Sequence, residues 1–236
     1  MLVKTYCAAV NGLDVTTVTI EVSLTKGVMF RMTGLGDTAV REGRDRMAAA
    51  LVNNGYLFPN ADITVNMAPA DLRKEGSGFD LSLAIGVLAA SKQIEPVGLD
   101  RIMLVGELGL DGALQPVKGA LPIAMRAKAD GFVALVVPQQ NVREAAVVEG
   151  IRVYGMSQMK EVISMITGQE RFQPVSVDTR KEFYDQQYST ELDYADVRGQ
   201  QQVKRALEVA AAGGHNLIMV RPPGSGKPMM AKRVRS

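Results

Sequence analysis

The sequence predicts an α/β protein with three parts: an N-terminal domain over residues 1–168, a polar linker over residues 169–195 and a short basic segment over residues 196–236. In the first part, apolar residues recur with period two in some stretches and with helical spacing in others, which predicts strands and helices in alternation. The second part contains Pro174 and has no periodic apolar stripe, which is typical of a linker. The net charge is −1, −3 and +6 over the three parts in order, so the basic end is predicted to be a separate unit.

Five apolar stretches of the first part predict strands. Residues 18–24 alternate with polar neighbours and predict a half-buried strand, and residues 28–32, after a glycine, are expected to be its hairpin partner. Residues 63–67 alternate in the same way. Residues 102–105 and 133–137 are short apolar runs that end before Gly or Pro, which is typical of buried strands.

Four further stretches of the first part have helical spacing. The helix over residues 38–52 is expected to begin with Asp37 or Thr38 as its N-cap, because short oxygen-bearing side chains accept hydrogen bonds from the first free N–H groups. The other predicted helices cover residues 81–90, which read as a buried helix, residues 117–129 and residues 158–166. Strands and helices together predict one mixed α/β domain without an internal repeat.

The composition excludes several classes of protein. With one Cys and one His, the chain has neither a disulfide framework nor a Cys/His zinc cluster of its own, and Cys7 is expected to be a small buried apolar side chain. No metal-ligating residues are predicted. The first residues lack the long apolar run of a signal peptide, and the longest apolar stretch, residues 81–90, is too short to cross a bilayer. A cytoplasmic protein without a membrane partner is therefore expected.

The basic segment contains a strand, a glycine-rich turn and a helix in the order that a phosphate-binding loop requires. A helical stripe ends at Gly213 and Gly214, residues 217–220 predict a short buried strand, and residues 221–227, RPPGSGK, follow at once. Backbone N–H groups of such a turn face a phosphate, and a lysine adds a point charge. The residues predicted to bind nucleotide are Gly224, Ser225, Gly226 and Lys227.

This loop departs from the pattern G-x-x-x-x-G-K-[ST] at both ends. Arg221 replaces the first glycine and brings a Cβ to the turn, and Pro228 replaces the Ser or Thr whose hydroxyl would bind Mg²⁺. Pro228 also lacks a backbone N–H, and one lost charge-assisted hydrogen bond costs roughly 1.5–3 kcal/mol. Nucleotide binding is therefore expected to be weak if it occurs. The alternative is a plain Pro/Gly turn, and His215 beside it is expected to be a structural turn residue.

Five stretches in the right order resemble one family, the bacterial magnesium-chelatase-like AAA+ ATPases of the ComM/YifB type. They are TGLGDTAVREGRDRMAAAL at 33–51, ITVNMAPADLRKEGSGFDLSLAIGVLAA at 63–90, VGELGLDGALQPVKGALPIA at 105–124, VPQQNVREA at 137–145 and DVRGQQQVKRALEVAAAGGHNLIMVRPPGSGK at 196–227. The resemblance implies a Lon-protease-like N-terminal domain followed by the first helix, strand and P-loop of an AAA+ domain. It also implies a hexameric ring that uses ATP and Mg²⁺ to remodel DNA as a branch-migrating helicase.

The resemblance to Lon raises a peptidase hypothesis, because Lon-type peptidases use a serine that is activated by a lysine. Alignment of KEGSGFD at 74–80 with the serine loop places a residue that is no nucleophile, near Phe79, at the serine position, and Ser77 falls earlier. Ile123 stands about where the lysine belongs, and Lys118 and Lys128 are out of register. We therefore expect an inactive peptidase fold, in which Ser77 and Ser82 are ordinary loop and helix residues.

Four carboxylates of the same region suggest acid–base chemistry, but their spacing does not place them in one site. Asp80 is expected to cap the helix that follows it, and Glu107 and Asp111 are expected in a turn beside a strand; Glu75 is the fourth. No catalytic residue is predicted.

Three functions then compete. The first is a member of the DNA-remodelling ATPase family that is truncated just after the P-loop, and therefore lacks the acidic strand motif, sensors and arginine finger of an AAA+ motor. This hypothesis leaves open whether the chain is an enzyme. The second is a stand-alone Lon-like module that binds protein or nucleic acid without catalysis. The third is an active peptidase, which the missing serine–lysine pair disfavours.

Overall fold

The computed structural model describes residues 2–12, 14–34, 36–72, 74–177, 194–220, 222, 226–231 and 233. The chain divides into two compact units, the first over residues 1–177 and the second over residues 178–236. No helix of the described residues is both long and apolar enough to cross a membrane.

The first unit contains nine strands and five α-helices in its described residues. The strands are β1 (Leu2–Asn11), β2 (Asp14–Thr25), β3 (Phe30–Thr33), β4 (Asp62–Ala68), β5 (Ile102–Leu104), β6 (Glu107–Leu108), β7 (Leu114–Gln115), β8 (Ala134–Pro138) and β9 (Arg152–Met156). The helices are α1 (Thr38–Asn53), α2 (Asp80–Ala90), α3 (Ala120–Ala129), α4 (Val142–Ala145) and α5 (Met159–Ile166). The predicted α/β class with mixed strands and helices is confirmed.

Seven of these strands form one sheet in the order β3-β4-β2-β1-β5-β8-β9. The pairs β1–β2 and β2–β4 are antiparallel, and the pairs β3–β4, β1–β5, β5–β8 and β8–β9 are parallel. Strands β6 and β7 form a separate antiparallel hairpin. The sheet is therefore mostly parallel, and β1 joins its antiparallel part to its parallel part.

The prediction that residues 28–32 form a hairpin with the preceding strand is wrong. Strand β3 pairs in parallel with β4, which lies between β3 and β2. The side chain of Asp62 fixes this arrangement, because its Oδ1 accepts a hydrogen bond from the backbone N–H of Met29 at 2.8 Å, and the N–H of Ile63 donates to the Met29 carbonyl. Two polar turn contacts thus place β3 beside β4.

Helix α2 lies at the centre of the core, and all of its residues are buried. Its apolar residues on every side predict this position, because a helix that is apolar all round has no face for water. Two hydroxyls link α2 to the sheet: Thr5 Oγ1 donates to the Ser82 carbonyl at 3.0 Å, and Ser82 Oγ donates to the Leu104 carbonyl at 2.5 Å. Ser82 is therefore a structural residue of the core.

The helix ends follow capping rules. Asp37 is the N-cap of α1, as one of the two predicted candidates, and its Oδ1 accepts from the N–H of Val40 at 2.8 Å. Helix α5 begins with a capping box between Gln158 and Glu161. Helix α3 begins three residues later than predicted, because Gly119 has a φ of +76° and leaves the helical region.

Part of the predicted linker lies within the first unit. Val175 donates its N–H to the Val153 carbonyl at 2.8 Å and forms an isolated bridge beside β9. Residues 178–193 of the predicted linker lie outside the described residues.

The second unit contains α6 (Gln201–Gly213) and α7 (Lys227–Ala231) in its described residues. Helix α6 ends where predicted, with Gly214 at a φ of +61°. The strand predicted over residues 217–220 is wrong, because these residues form no ladder, and a strand exists only through hydrogen bonds to a neighbour. Ile218 and Val220 are 88% and 84% exposed.

Candidate functional site

The glycine-rich loop of the second unit is the first candidate site, and the structure describes its C-terminal half. Arg221, Gly224 and Ser225 lie outside the described residues, whereas Gly226, Lys227 and Pro228 are described. Gly226 has a φ of +77°, a conformation that L side chains rarely adopt, and its carbonyl accepts the first helical hydrogen bond of α7 from Met230. The last glycine of the motif is therefore required by the turn itself.

Lys227 is the first residue of α7, and its ammonium is directed back across the loop. Its Nζ donates to the carbonyl oxygen of Pro222 at 3.1 Å. The positive charge of the lysine therefore lies beside Pro222, and the motif predicts that this charge contacts a phosphate. An ammonium has three N–H donors, so this bond does not prevent the same group from contacting a phosphate.

Pro228 is exposed and is the second residue of α7. A proline is well tolerated in the first turn of a helix, because the N–H that it lacks has no intrahelical partner there. The same N–H would face a bound anion, however, and proline has no hydroxyl to offer a metal ion. The loop thus keeps the lysine and glycine that fit a phosphate, and it lacks the group that fits Mg²⁺.

A small apolar cluster supports this loop within the second unit. Met230 of α7 is buried against Val197 and Leu207. Lys204 Nζ donates to the Val197 carbonyl at 2.6 Å, which ties α6 to the segment before it. The backbone N–H of His215 donates to the Ala210 carbonyl at 2.8 Å, so His215 closes the end of α6. The described residues contain no cluster of His, Cys, Asp or Glu that could hold a metal ion.

The loop that precedes α2 in the first unit is the second candidate site, and we call residues 74–79 the serine loop. Ser77 Oγ donates a hydrogen bond to the Glu107 carboxylate of β6. Lys118 and Lys128 are exposed, Ile123 is buried in α3, and Phe79 is buried as the N-cap residue of α2. The described hydrogen bonds therefore give Ser77 a carboxylate as its partner, and none of them joins it to a lysine.

Asp80 does not cap α2 as predicted. The N-cap is Phe79, without a side-chain capping bond, and the Asp80 carboxylate faces Arg46 of α1 instead. Arg46 Nε lies 2.6 Å from Asp80 Oδ2 and Arg46 Nη2 lies 3.1 Å from Oδ1, while the N–H of Leu108 donates to Oδ2 at 3.3 Å. The carboxylate oxygens accept hydrogen bonds from these three donors, so they do not cap the N-terminus of α2.

Burial is the largest influence on the pKa of the carboxyl in this ion pair. It raises the pKa of the Asp80 carboxyl above its ordinary value, and the hydrogen bonds from Arg46 and Leu108 oppose that rise. The hydrogen bond to Asp80 raises the pKa of Arg46, so the guanidinium stays charged. The pair joins α1 to the start of α2 across a buried site, and its residues have a structural role.

The serine loop is held at its other end by two residues that the sequence did not single out together. Lys74 is buried, and its ammonium donates to the Pro69 carbonyl. Burial lowers the pKa of Lys74. Asp37 Oδ2 accepts from the Gly76 N–H at 3.3 Å, and the Asp37 N–H donates to the Lys74 carbonyl at 3.0 Å. The N-cap of α1 therefore also positions this loop.

The other three carboxylates considered in the sequence lie at different places around the hairpin of β6 and β7. Glu107 lies in β6 itself rather than in a turn, and Asp111 lies in the turn between β6 and β7, where its Oδ1 accepts from the Ala113 N–H at 3.0 Å. Glu75 is exposed in the serine loop. The structure brings Glu107 to Ser77, and it leaves Asp111 to the turn.

Comparison with known proteins assigns the chain to a family. Residues 20–141, which include β3, α1, the serine loop and α2, match the family described as subunit ChlI of Mg-chelatase. The chain belongs to this family. Residues 193–236 match a second family, which is described as magnesium chelatase, subunit ChlI. This range contains the glycine-rich loop.

Two named proteins are similar to nearly the whole chain. It is 40% identical over 230 residues to the protein YifB of Escherichia coli, covering 96% of this chain and 44% of YifB. It is also 40% identical over 230 residues to the competence protein ComM of Haemophilus influenzae, covering 97% of this chain and 45% of ComM. The chain therefore spans less than half the length of these relatives.

A more distant similarity concerns the first unit. Lon protease 2 of Bacillus subtilis is 26% identical over 107 residues, which cover 44% of this chain and 19% of that protein. Together with the mixed α/β sheet, this supports the predicted Lon-like fold. The membership in the ComM/YifB type of the ChlI family, predicted from the five stretches, is confirmed.

Proposed function

We propose that this chain is part of an ATP-driven DNA-remodelling ATPase of the ComM/YifB type, and that the chain itself binds nucleotide weakly and does not hydrolyse it. The observation that carries the proposal is the pairing of Lys227 with the Pro222 carbonyl in a loop that continues into Pro228. Residue by residue, this loop fits a phosphate and does not fit the metal ion that hydrolysis needs. Membership in the ChlI family supports nucleotide as the ligand.

The weak affinity follows from the features of the motif that this loop lacks. Arg221 and Pro228 remove a glycine at the start of the turn and a hydroxyl at its end. A lost hydrogen bond to a charged group costs roughly 1.5–3 kcal/mol. We therefore expect the phosphates to be held mainly by Lys227 and by backbone N–H groups.

The absence of hydrolysis follows from Pro228. In P-loop enzymes, the Ser or Thr at this position holds Mg²⁺, which would supply positive charge against the phosphates during transfer. Pro228 has neither a hydroxyl nor an N–H, so it cannot hold the metal or a phosphate oxygen. A bound metal would neutralise phosphate charge, and without it Lys227 supplies a single positive charge.

Isothermal titration of the full chain with ATP, in the presence and absence of Mg²⁺, tests this proposal. We expect weak binding that Mg²⁺ does not strengthen, and a loss of about tenfold or more in Lys227→Ala. The double variant Arg221→Gly with Pro228→Thr is expected to bind more tightly and to gain a dependence on Mg²⁺. Equal affinity of the native chain and Lys227→Ala contradicts the nucleotide site, and ATP turnover by the native chain contradicts its inactivity.

Partners are proposed from the family and from the charge. The net charge of +6 over residues 196–236 supports DNA as a partner, and assembly with further copies into a hexameric ring is proposed from the family. Salt dependence is the diagnostic property, because each phosphate contact releases counterions. Fluorescence anisotropy with duplex DNA is expected to show binding at low salt that weakens steeply as the salt concentration rises. In the double variant Arg198→Gln with Arg205→Gln, this salt dependence is expected to be smaller. No binding at low salt contradicts DNA as a partner of this chain.

The Lon-like first unit supports a second candidate function, a binding module without peptidase activity. The specific observation is that Ser77 donates to Glu107 while Lys118 and Lys128 are exposed elsewhere. A carboxylate beside a serine lacks the amine that activates the nucleophile in Lon-type sites. We expect no cleavage of casein by the full chain. Cleavage that Ser77→Ala abolishes contradicts this assignment.

A further inference from the structure

The first unit contains a cavity at the end of the sheet opposite the serine loop. The serine loop lies beside Gly106, after the end of β5, whereas this cavity lies at the first residues of the parallel strands β5, β8 and β9. We call it the strand-start pocket. Its volume is about 270 Å³, and it is lined by Val97, Gly98, Arg101, Ile102, Val133, Ala134, Arg152, Tyr154, Met165 and Ile166.

The register of the sheet defines the floor of the strand-start pocket. Ile102, Ala134 and Arg152 pair in one row across β5, β8 and β9. Tyr154 lies two residues after Arg152, so both side chains leave the same face of β9. Met165 and the end of α5 form the wall. The pocket thus combines aliphatic surface with one arginine in the same row.

The charge of the strand-start pocket is positive. Arg101 and Arg152 are the charged residues of its lining, and within the described residues no carboxylate forms an ion pair with either of them. Both arginines are exposed. The Val133 carbonyl accepts from the Arg152 N–H at 3.2 Å and from its Nε at 3.4 Å. A guanidinium that bonds through Nε can use its two terminal nitrogens as a fork for a carboxylate.

The C-terminal end of α5 brings carbonyl groups to the wall, and these disfavour an anion. One of them is already engaged, because the Ile166 carbonyl accepts from the Val97 N–H at 2.8 Å. The two guanidinium groups carry full charges, which outweigh the partial charge of about one half at a helix end. The net preference of the pocket is therefore for an anion.

We propose that the strand-start pocket binds a small organic carboxylate, whose charge is held by Arg152 with Arg101 at the rim and whose hydrocarbon part packs on Ile102 and Met165. The volume is slightly below the usual range of about 300–1,000 Å³ for ligand pockets, which restricts the ligand to a small molecule. The aliphatic floor favours a carboxylate with a short hydrocarbon chain over inorganic phosphate, which needs polar donors on several sides.

Titration of the full chain with hexanoate, followed by amide chemical shifts, tests the proposal. Hexanol lacks the charge and inorganic phosphate lacks the hydrocarbon, so both are expected to bind at least about tenfold more weakly than hexanoate. Arg152→Gln is expected to weaken hexanoate binding about tenfold or more, and Arg101→Gln by less. Arg41→Gln, an exposed arginine of α1 outside the pocket, is the matched control and is expected to leave it unchanged.

Three results overturn the proposal. The first is the absence of saturable binding of hexanoate by about 10 mM, which corresponds to less than about 3 kcal/mol of binding free energy. The second is equal binding by Arg152→Gln and Arg41→Gln. The third is phosphate binding that is as tight as hexanoate binding and equally dependent on Arg152. Thermal unfolding shows whether Arg152→Gln is folded. If Arg152→Gln does not fold, Arg152→Lys replaces it as the test. Arg152→Lys keeps the charge but loses the fork, and it is expected to bind hexanoate with intermediate affinity.

Discussion

The carboxylate of Asp80 and the guanidinium of Arg46 form a bidentate ion pair, with Asp80 only 1% exposed. The two residues are 34 positions apart and join the middle of α1 to the first turn of α2. A carboxylate in the first turn of a helix is also stabilised by the N–H groups of that turn. The pair therefore fixes the angle at which the central helix enters the core.

Removal of one partner of this pair is expected to be strongly destabilising. Asp80→Ala leaves Arg46 without its carboxylate, and breaking a buried pair typically costs about 3 kcal/mol or more, because a charge is left uncompensated. Urea unfolding of Asp80→Ala, Arg46→Ala and the double variant measures this. We expect the double variant to lose less free energy of unfolding than the two single variants lose together.

The matched control is Arg44→Ala, which removes an exposed arginine of the same helix that pairs with the exposed Asp45. Surface pairs contribute about 0–1 kcal/mol, so this variant is expected to stay near native stability. Equal losses in Arg44→Ala and Arg46→Ala contradict the structural role assigned to the buried pair.

Gly43 is expected to tolerate no side chain while Asp80 is in place. A Cβ at Gly43 would lie 2.4 Å from Asp80 Oδ1, and Arg46 holds that oxygen where it is. Replacement of glycine by alanine within a helix normally stabilises by about 1 kcal/mol. Gly43→Ala is expected to destabilise the native chain by about 1–3 kcal/mol instead. In an Asp80→Ala background, the same change is expected to be stabilising, and a loss there contradicts the clash as its cause.

Asp37 is expected to stabilise two elements at once. It caps α1 through Val40 and holds the serine loop through Gly76. Loss of an N-cap costs about 1 kcal/mol, and the second hydrogen bond adds to that, so Asp37→Ala is expected to lose about 1–2 kcal/mol. Asp37→Asn keeps an oxygen for the cap and is expected to retain most of the stability. Amide exchange at Gly76 is expected to increase in Asp37→Ala, and unchanged exchange contradicts the link to the loop.

The single thiol is expected to be unreactive in the folded protein. Cys7 is completely buried in β1, and burial raises its pKa from an ordinary value near 9 to about 12. The thiolate is the reactive form, so a thiol reagent is expected to label Cys7 only after urea unfolds the first unit. Rapid labelling without urea contradicts this burial.

The same pKa shift makes stability depend on pH. The unfolded thiol ionises above about pH 9 and the folded thiol only near 12, so the stabilising contribution of the neutral buried thiol is full below pH 9 and falls as the pH rises from 9 to 12. The fall amounts to about 1.4 kcal/mol per pH unit within that window. Other groups titrate in the same range, and the difference between native and Cys7→Ala unfolding free energies isolates this one. A difference independent of pH contradicts the shift.

Local patterns predicted most of the first unit. The period-two stretch of β4 places Ile63, Val65 and Met67 in the core, and all three are buried as expected from the alternation. Helix α2 follows from its apolar residues on every side. Strand β1 was not predicted, because β2 and β5 flank it and residues on both of its faces are buried, which leaves no clean alternation. Strand β9 was also missed, since Gly155 interrupts it.

Contacts between distant residues account for the remaining differences. The pairing of β3 with β4 depends on Asp62, 33 residues after Met29, and the partner of Asp80 lies in another helix. No spacing along the chain encodes such pairs, so the capping role assigned to Asp80 and the hairpin role assigned to residues 28–32 were wrong. The motif predicted the glycine-rich loop, whereas no motif encodes the hydrogen bond from Lys227 to the Pro222 carbonyl.

Strand β1 has a consequence for how this protein is made. It is the first strand in the chain, and it joins the antiparallel part of the sheet to the parallel part. Its pairing with β2 is local and can form as soon as both strands have left the ribosome. Its other edge pairs with β5, which is synthesised about 90 residues later, or roughly 5–20 s at typical rates of translation. During that interval the nascent hairpin presents an open edge, which is the state in which a chaperone that recognises unpaired strands would act.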